Sequence, residues 1–201
     1  PLHLAASAGA DKEALVLLLE AHLAAAATAD AGGRYPLHHA ASTGADKTTL
    51  SLVLEAYPTA AVTVDAGGKL PLALALASGA SDDAAMVLVI AAPDAVGSDG
   101  RAPPHLAIAA KRSEELLQRL RVAQPGAAAR ADAGGMLTLA LALASGASDD
   151  AAMVLVVAAP DAVGSDGRTP LHLASAAKRS EELLQRVLEA HPAAAAKPDA
   201  G

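Results

Sequence analysis

The chain has 201 residues, a formal net charge of −7 and no cysteine. That balance excludes a disulfide framework and a thiolate metal site, and it argues against a nucleic-acid partner, whose binders carry a basic face. Apolar residues make up 53% of the chain, mostly as alanine, yet uncharged stretches such as 70–81 and 84–93, and the longest of them, 133–148, fall short of the ~20 residues of a spanning helix, so no membrane span is expected.

The first unit opens on Pro1-Leu-His-Leu-Ala, a short helix expected to stop at Gly9, followed by a second helix carrying Leu15, Leu18 and Leu19. The phrase returns, intact or worn, at Pro36, Pro71, Pro103, Thr138 and Pro170, at steps of 35 or 32 residues. A fixed period in this range marks stacked supersecondary units. The second unit is the clearest. Asp30-Ala-Gly-Gly reads as a turn; Pro36 suits the first position of a helix; and Gly44 suits its end. Asp46 is placed to cap a second helix. There Leu50, Val53, Leu54 and Tyr57 recur at helical spacing, and Pro58 ends it.

In the third and fifth units Ala73 and Ala140 stand where the phrase has His. In the fourth and sixth, Lys111 and Lys178 replace the glycine that ends the first helix. Lysine resists the left-handed conformation, so those helices are expected to run longer or to change turn type. Residues 67–133 and 134–200 match at all but about a dozen positions, a two-unit block copied once. The prediction is an all-α array over 1–201, about six helix–turn–helix units in one right-curving stack, each too small to bury its own apolar face alone.

The pattern Gly-x-(Thr)-Pro-Leu-His-Leu-Ala-Ala-x-x-Gly followed by Leu-Leu-Leu-Glu-Ala resembles the ankyrin repeat, best from Pro1 and from Gly167. The Leu-Glu-Ala-His/Tyr-Pro ending is similar to a variant of long arrays in unicellular algae and protists. The departures are the Thr before Pro, kept only at Thr169, together with the His and Gly replacements above. The resemblance implies a non-catalytic protein-interaction scaffold. It also implies that His3, His38, His105 and His172 are structural, each bonding to loop backbone.

Chemistry is scarce. The histidines come one per unit, without the converging donors a metal needs. The pairs Asp82–Asp83, Glu114–Glu115, Asp149–Asp150 and Glu181–Glu182 fall at second-helix starts, where carboxylates are expected to cap and to complement the helix dipole. The glycine-rich turns lack a nucleotide-loop pattern, and no serine sits in a nucleophile elbow. No enzyme activity, cofactor, metal or small-molecule substrate is expected.

One pattern remains. The residue after the turn glycine is Arg34, Lys69, Arg101, Met136 or Arg168, a cation in four of the five turns, with Tyr35 following the first. Beside these finger tips, Ser42, Thr43, Ser78 and Ser145 are expected to floor a shallow groove. A positive edge of this kind suits a protein partner with an acidic segment. The alternative is a permanently docked structural or linker subunit of a large assembly, an algal plastid being one setting. Absence of cysteine fits an intracellular chain, in cytoplasm or organelle. The chain reads as part of a longer polypeptide, with the apolar stripes of Leu15, Leu18 and Leu19 at one end and Leu183, Leu184, Val187 and Leu188 at the other covered by further repeats or a partner.

Overall fold

Helices of seven and ten residues alternate along the chain, because each repeat spends one short alanine-rich phrase and one longer leucine- or valine-rich one. The computed structural model describes residues 2–8 and 12–192; Pro1, the segment 9–11 with Gly9, and the segment 193–201 lie outside the described residues. Among the described residues the structure is all-α, with twelve helices and one isolated antiparallel bridge, Ala131 to Leu137. Contacts divide the chain into two compact units, 1–98 and 99–201.

The first unit holds α1 (Leu2–Ala8), α2 (Lys12–Ala21), α3 (Pro36–Ser42), α4 (Lys47–Ala56), α5 (Pro71–Ala77) and α6 (Asp82–Ala91). The seven-residue helices α1, α3 and α5 pack in one layer and the ten-residue helices α2, α4 and α6 in a second. The second unit repeats the plan with α7 (Pro103–Ala109), α8 (Glu114–Ala123), α9 (Thr138–Ala144), α10 (Asp149–Ala158), α11 (Pro170–Ala176) and α12 (Glu181–Ala190). Here α7, α9 and α11 form one layer and α8, α10 and α12 the other.

The core lies between the layers of each unit. Leu37, Leu50 and Leu70 in the first and Leu116, Leu120 and Leu137 in the second are all but inaccessible to solvent. Burying one such leucine is worth about 1.5–3 kcal/mol. Alanines at Ala40, Ala75, Ala107 and Ala142 are fully buried in the inner layer, and their small size lets neighbouring short helices approach closely. Of the periodic set in α4, Leu50 and Val53 are buried while Leu54 and Tyr57 are half-buried.

Three expectations are corrected. Lys111 and Lys178 sit at φ 52° and 51°, yet α7 and α11 keep the seven-residue length of the glycine-ended helices. Their turns keep the same bonds: Lys111 N–H donates to Ile108 O and Arg112 N–H to Ala107 O, just as Gly44 and Ala45 donate to Ala41 O and Ala40 O. Packing on both sides imposes the turn, and lysine takes the left-handed conformation at a cost of about 1–2 kcal/mol.

The acidic pairs do not cap their helices. Ser81, Ser113, Ser148 and Ser180 do, each hydroxyl accepting an N–H three residues on. The carboxylates occupy the first turn, where they complement the dipole. Asp46 does cap α4, accepting from Thr49 N–H at 2.8 Å.

The terminal stripes are largely buried. Leu15 and Leu19 in α2, and Leu183 and Val187 in α12, face the unit's own core; Leu18 and Leu184 are half-buried. The side chains left in water there are Leu4, Leu17 and Leu23 at one end and Leu188, less fully, at the other.

Candidate interaction surface

Three of the five fingers are organised by an aspartate that the sequence reading leaves without a role. Asp30 Oδ1 accepts the N–H groups of Gly32 and Arg34, Asp65 Oδ1 those of Gly67 and Lys69, and Asp132 Oδ1 those of Gly134 and Met136. The signal was present, since Asp two residues before Gly is an Asx-turn pattern. The turn is closed on the other side by Asp30 N–H to Arg34 O, Asp65 N–H to Lys69 O and Asp132 N–H to Met136 O.

Successive fingers are joined through backbone. Ala66 N–H donates to Gly32 O and Ser98 N–H to Gly68 O in the first unit; Ala133 N–H donates to Asp99 O in the second. The approach is close enough to demand glycine: a Cβ on Gly100, at φ 73°, would lie 2.5 Å from Ala133 N.

The finger-tip cations are paired along this ladder. Arg34 Nε donates to Asp65 Oδ2, one finger on, at 3.0 Å. Arg101 Nε lies 3.6 Å from Asp99 and 3.8 Å from Asp132, and Arg168 Nε lies 3.6 Å from Asp166. Lys69 is exposed, and Met136 is 42% exposed. In each unit, then, the finger tips carry ion pairs, with Lys69 exposed beside them in the first and Met136 in the second. Asp65 is itself buried. Burial opposes its ionisation, but hydrogen bonds from Lys69 N–H, the Arg34 guanidinium and Gly67 N–H outweigh it and hold its carboxyl below the usual range. Asp30, whose side chain is 35% exposed, is lowered to about 2, chiefly by the Arg34 N–H and then by His39, whose Nε2 is 2.8 Å away.

Tyr35 is half-buried. Its ring packs 5.3 Å from Tyr57 and 5.9 Å from His38, centroid to centroid, so it braces the finger base. The hydroxyls of Ser42, Thr43, Ser78 and Ser145 turn back to helix carbonyls: His39 O, Ala40 O, Ala75 O and Ala142 O. Ser78 also donates to Ala41 O of the preceding repeat at 2.7 Å. They leave a smooth floor with few free donors.

The histidines tie inner helices to loops. His3 Nε2 is 3.2 Å from Arg34 O, His38 Nε2 3.0 Å from Thr63 O and His105 Nε2 3.1 Å from Met136 O. In His38 the other nitrogen accepts from Tyr35 N–H, and in His172 from Thr169 N–H. An acceptor Nδ1 leaves the proton on Nε2, so His38 donates to Thr63 O. Burial pushes both His38 and His105 below the usual histidine value, against the opposing pull of the carbonyls they bond.

In the second unit the fingers and the inner helices α9 and α11 line an open cavity of about 600 Å³. Its walls include Met136, Ala140, Leu143 and Leu173, with Asp166 and Arg168 on the finger side. Among the described residues no group of His, Asp and Glu gathers to hold a metal ion, and no helix is long and apolar enough to cross a membrane.

No family model matches the chain, and no curated protein does. Among solved structures, one chain of a predatory endopeptidase from Bdellovibrio bacteriovorus in complex with an immunity protein superposes on 94% of this chain and 96% of its own. The TM-score is 0.67 at 19% sequence identity, a likeness of fold alone.

Proposed function

We propose that this chain is a non-catalytic protein-binding scaffold built from ankyrin-like repeats, stacked as a solenoid, which docks an acidic segment of a partner protein along its finger edge. The observation that carries the reading is the finger ladder. Its turns are held rigid by aspartates and by backbone bonds between neighbours, yet their tips, exposed at Lys69, Met136 and Arg168 and half-buried at Arg34 and Arg101, vary from repeat to repeat. A rigid frame with variable tips costs little ordering entropy on binding. Arg34, Arg101 and Arg168 are held in ion pairs with aspartates, so the contact with a partner's carboxylate is assigned first to Lys69, which is exposed. One solved structure of similar fold is described as a complex of two proteins, which is in keeping with such a role without assigning it. The absence of cysteine fits an intracellular setting.

A photo-crosslinker placed at Lys69 or Met136, in the cell of origin or its extract, tests this. The expected outcome is a discrete adduct, lost when Lys69 and Arg168 are both changed to Glu. A second reading, a permanently docked structural subunit of a larger assembly, is favoured by the exposure of Ile90 and Val122 on second-layer helices, 70% and 75%. Adducts from positions 90 and 122 in place of 69 and 136 select it.

A further inference from the structure

The cavity of the second unit stands where a histidine ring sits in other repeats. His38 and His105 occupy the third position of their inner helices, are fully buried, and bond through Nε2 to a loop carbonyl. In the repeat register Ala140 holds this position, and its methyl is part of the cavity wall.

The partner atom left behind is identifiable. Met136 O accepts two hydrogen bonds, from Asp132 N–H and from His105. Arg34 O likewise faces two donors, Asp30 N–H and His3 Nε2. Arg168 O, at the same place in its finger, accepts Gly164 N–H alone among the described residues. A carbonyl oxygen has two lone pairs, so among the described residues Arg168 O keeps one of them unfilled, beside an apolar wall of Leu143 and Leu173 and room for a ring. At the mouth of this slot Arg168 and Asp166, 48% and 55% exposed along their side chains, face each other at 3.6 Å, a pair loose enough for Arg168 to take a second carboxylate.

We propose that this slot receives a His or Trp side chain from an acidic segment of a partner protein. The ring N–H donates to Arg168 O, the ring packs between Leu143 and Leu173, and a neighbouring carboxylate meets the Arg168 guanidinium. The repeat is thereby completed from outside. The proposal rests on the protein-binding reading above and makes it specific, naming the anchor and its pocket.

The test uses imidazole and indole as ring probes and benzene as a ring without a donor. They are titrated into the chain at a pH where imidazole is neutral and followed by methyl NMR at Ala140, Leu143 and Leu173. Imidazole and indole should saturate and shift these methyls, with benzene about tenfold weaker for want of the hydrogen bond. Ala140→His should abolish all three shifts and raise the melting temperature; Ala140→Leu, which fills the slot without a new polar group, should also abolish them. Absence of a saturable shift, or shifts equal in the filled variants, overturns the slot.

Two short peptides, Trp and Ala each flanked by glutamates, test the occupant. Trp-dependent binding lost in Ala140→His supports it, and equal binding or none overturns it. Cross-linking from Lys69 in the Ala140→His chain separates the two failures. Adducts that persist while the probes fail leave the scaffold reading standing and remove the slot. Probes that bind while no adduct forms in any chain remove the scaffold reading.

Discussion

Lys111 and Lys178 hold a backbone conformation that glycine takes freely, and nothing in their turns differs from those of Gly44 and Gly146. Each therefore stores strain that a substitution can release. Lys111→Gly is expected to stabilise the second unit by about 1 kcal/mol, read from urea unfolding, and Lys178→Gly by a similar amount. The opposite change is harsh where fingers touch: Gly100→Ala combines φ 73° with a 2.5 Å approach to Ala133 N and should cost about 2–3 kcal/mol. The buried histidines set an acid limb. The unfolded value is about 6.5, and the folded values of His38 and His105 lie below it. Between the two, the unfolded chain binds more protons, so stability rises with pH through this window, is complete above it, and is lost as pH falls. Thermal melts over roughly pH 5 to 8 should show this slope, and it should be shallower in His105→Ala.

At the scale of elements, fingers and helix ends carry more specificity than the helices themselves. Asp65 holds Gly67 N–H, Lys69 N–H and Arg34 together while buried. Asp65→Ala is expected to cost about 2–3 kcal/mol and to raise the mobility of residues 65–69, measurable by amide exchange. The end of α8 shows the reverse. Gln124 is buried, and both of its amide atoms lack a hydrogen-bond partner, at a position where the other repeats place His, Tyr or Ala. Gln124→Met keeps the volume and removes the orphaned groups, so it should stabilise by about 1–2 kcal/mol.

On the whole-molecule scale, the two units have the same plan but different surfaces. The first exposes Leu17, and Leu23 beside Glu20 and Glu55 along a shallow groove between α2 and α4. The second exposes Val122 and Val157. The stripes Leu15–Leu19 and Leu183–Val187 are satisfied within their own units, so the chain should melt cooperatively, with dye binding confined to the exposed side chains. Leu17→Glu and Val122→Glu should each lower binding of a hydrophobic dye without lowering the melting temperature. Dye binding unchanged in both would move the exposed apolar surface elsewhere.

How much was legible follows from which interactions are local. Helix starts at Pro36, Pro71 and Pro103, ends at Gly44 and Gly79, and the alternation of short and long helices depend on φ preferences and periodicity within a few residues, so the sequence alone determined them. The burial of Leu50 and Val53 follows from the same spacing. The rest depended on what one repeat presents to the next. Arg34 reads as a free cation until Asp65, 31 residues on, is brought beside it. Lys111 reads as a helix extender until the surrounding packing holds its turn. The stripe at Leu15 and Leu19 reads as exposed until its own inner helix covers it. Ala140 reads as a worn histidine, and only the facing finger, with Arg168 O left a lone pair, makes that loss a cavity. A pairwise contact between repeats has no signature within either one, so tertiary structure alone decided the charge of the edge and the shape of the slot.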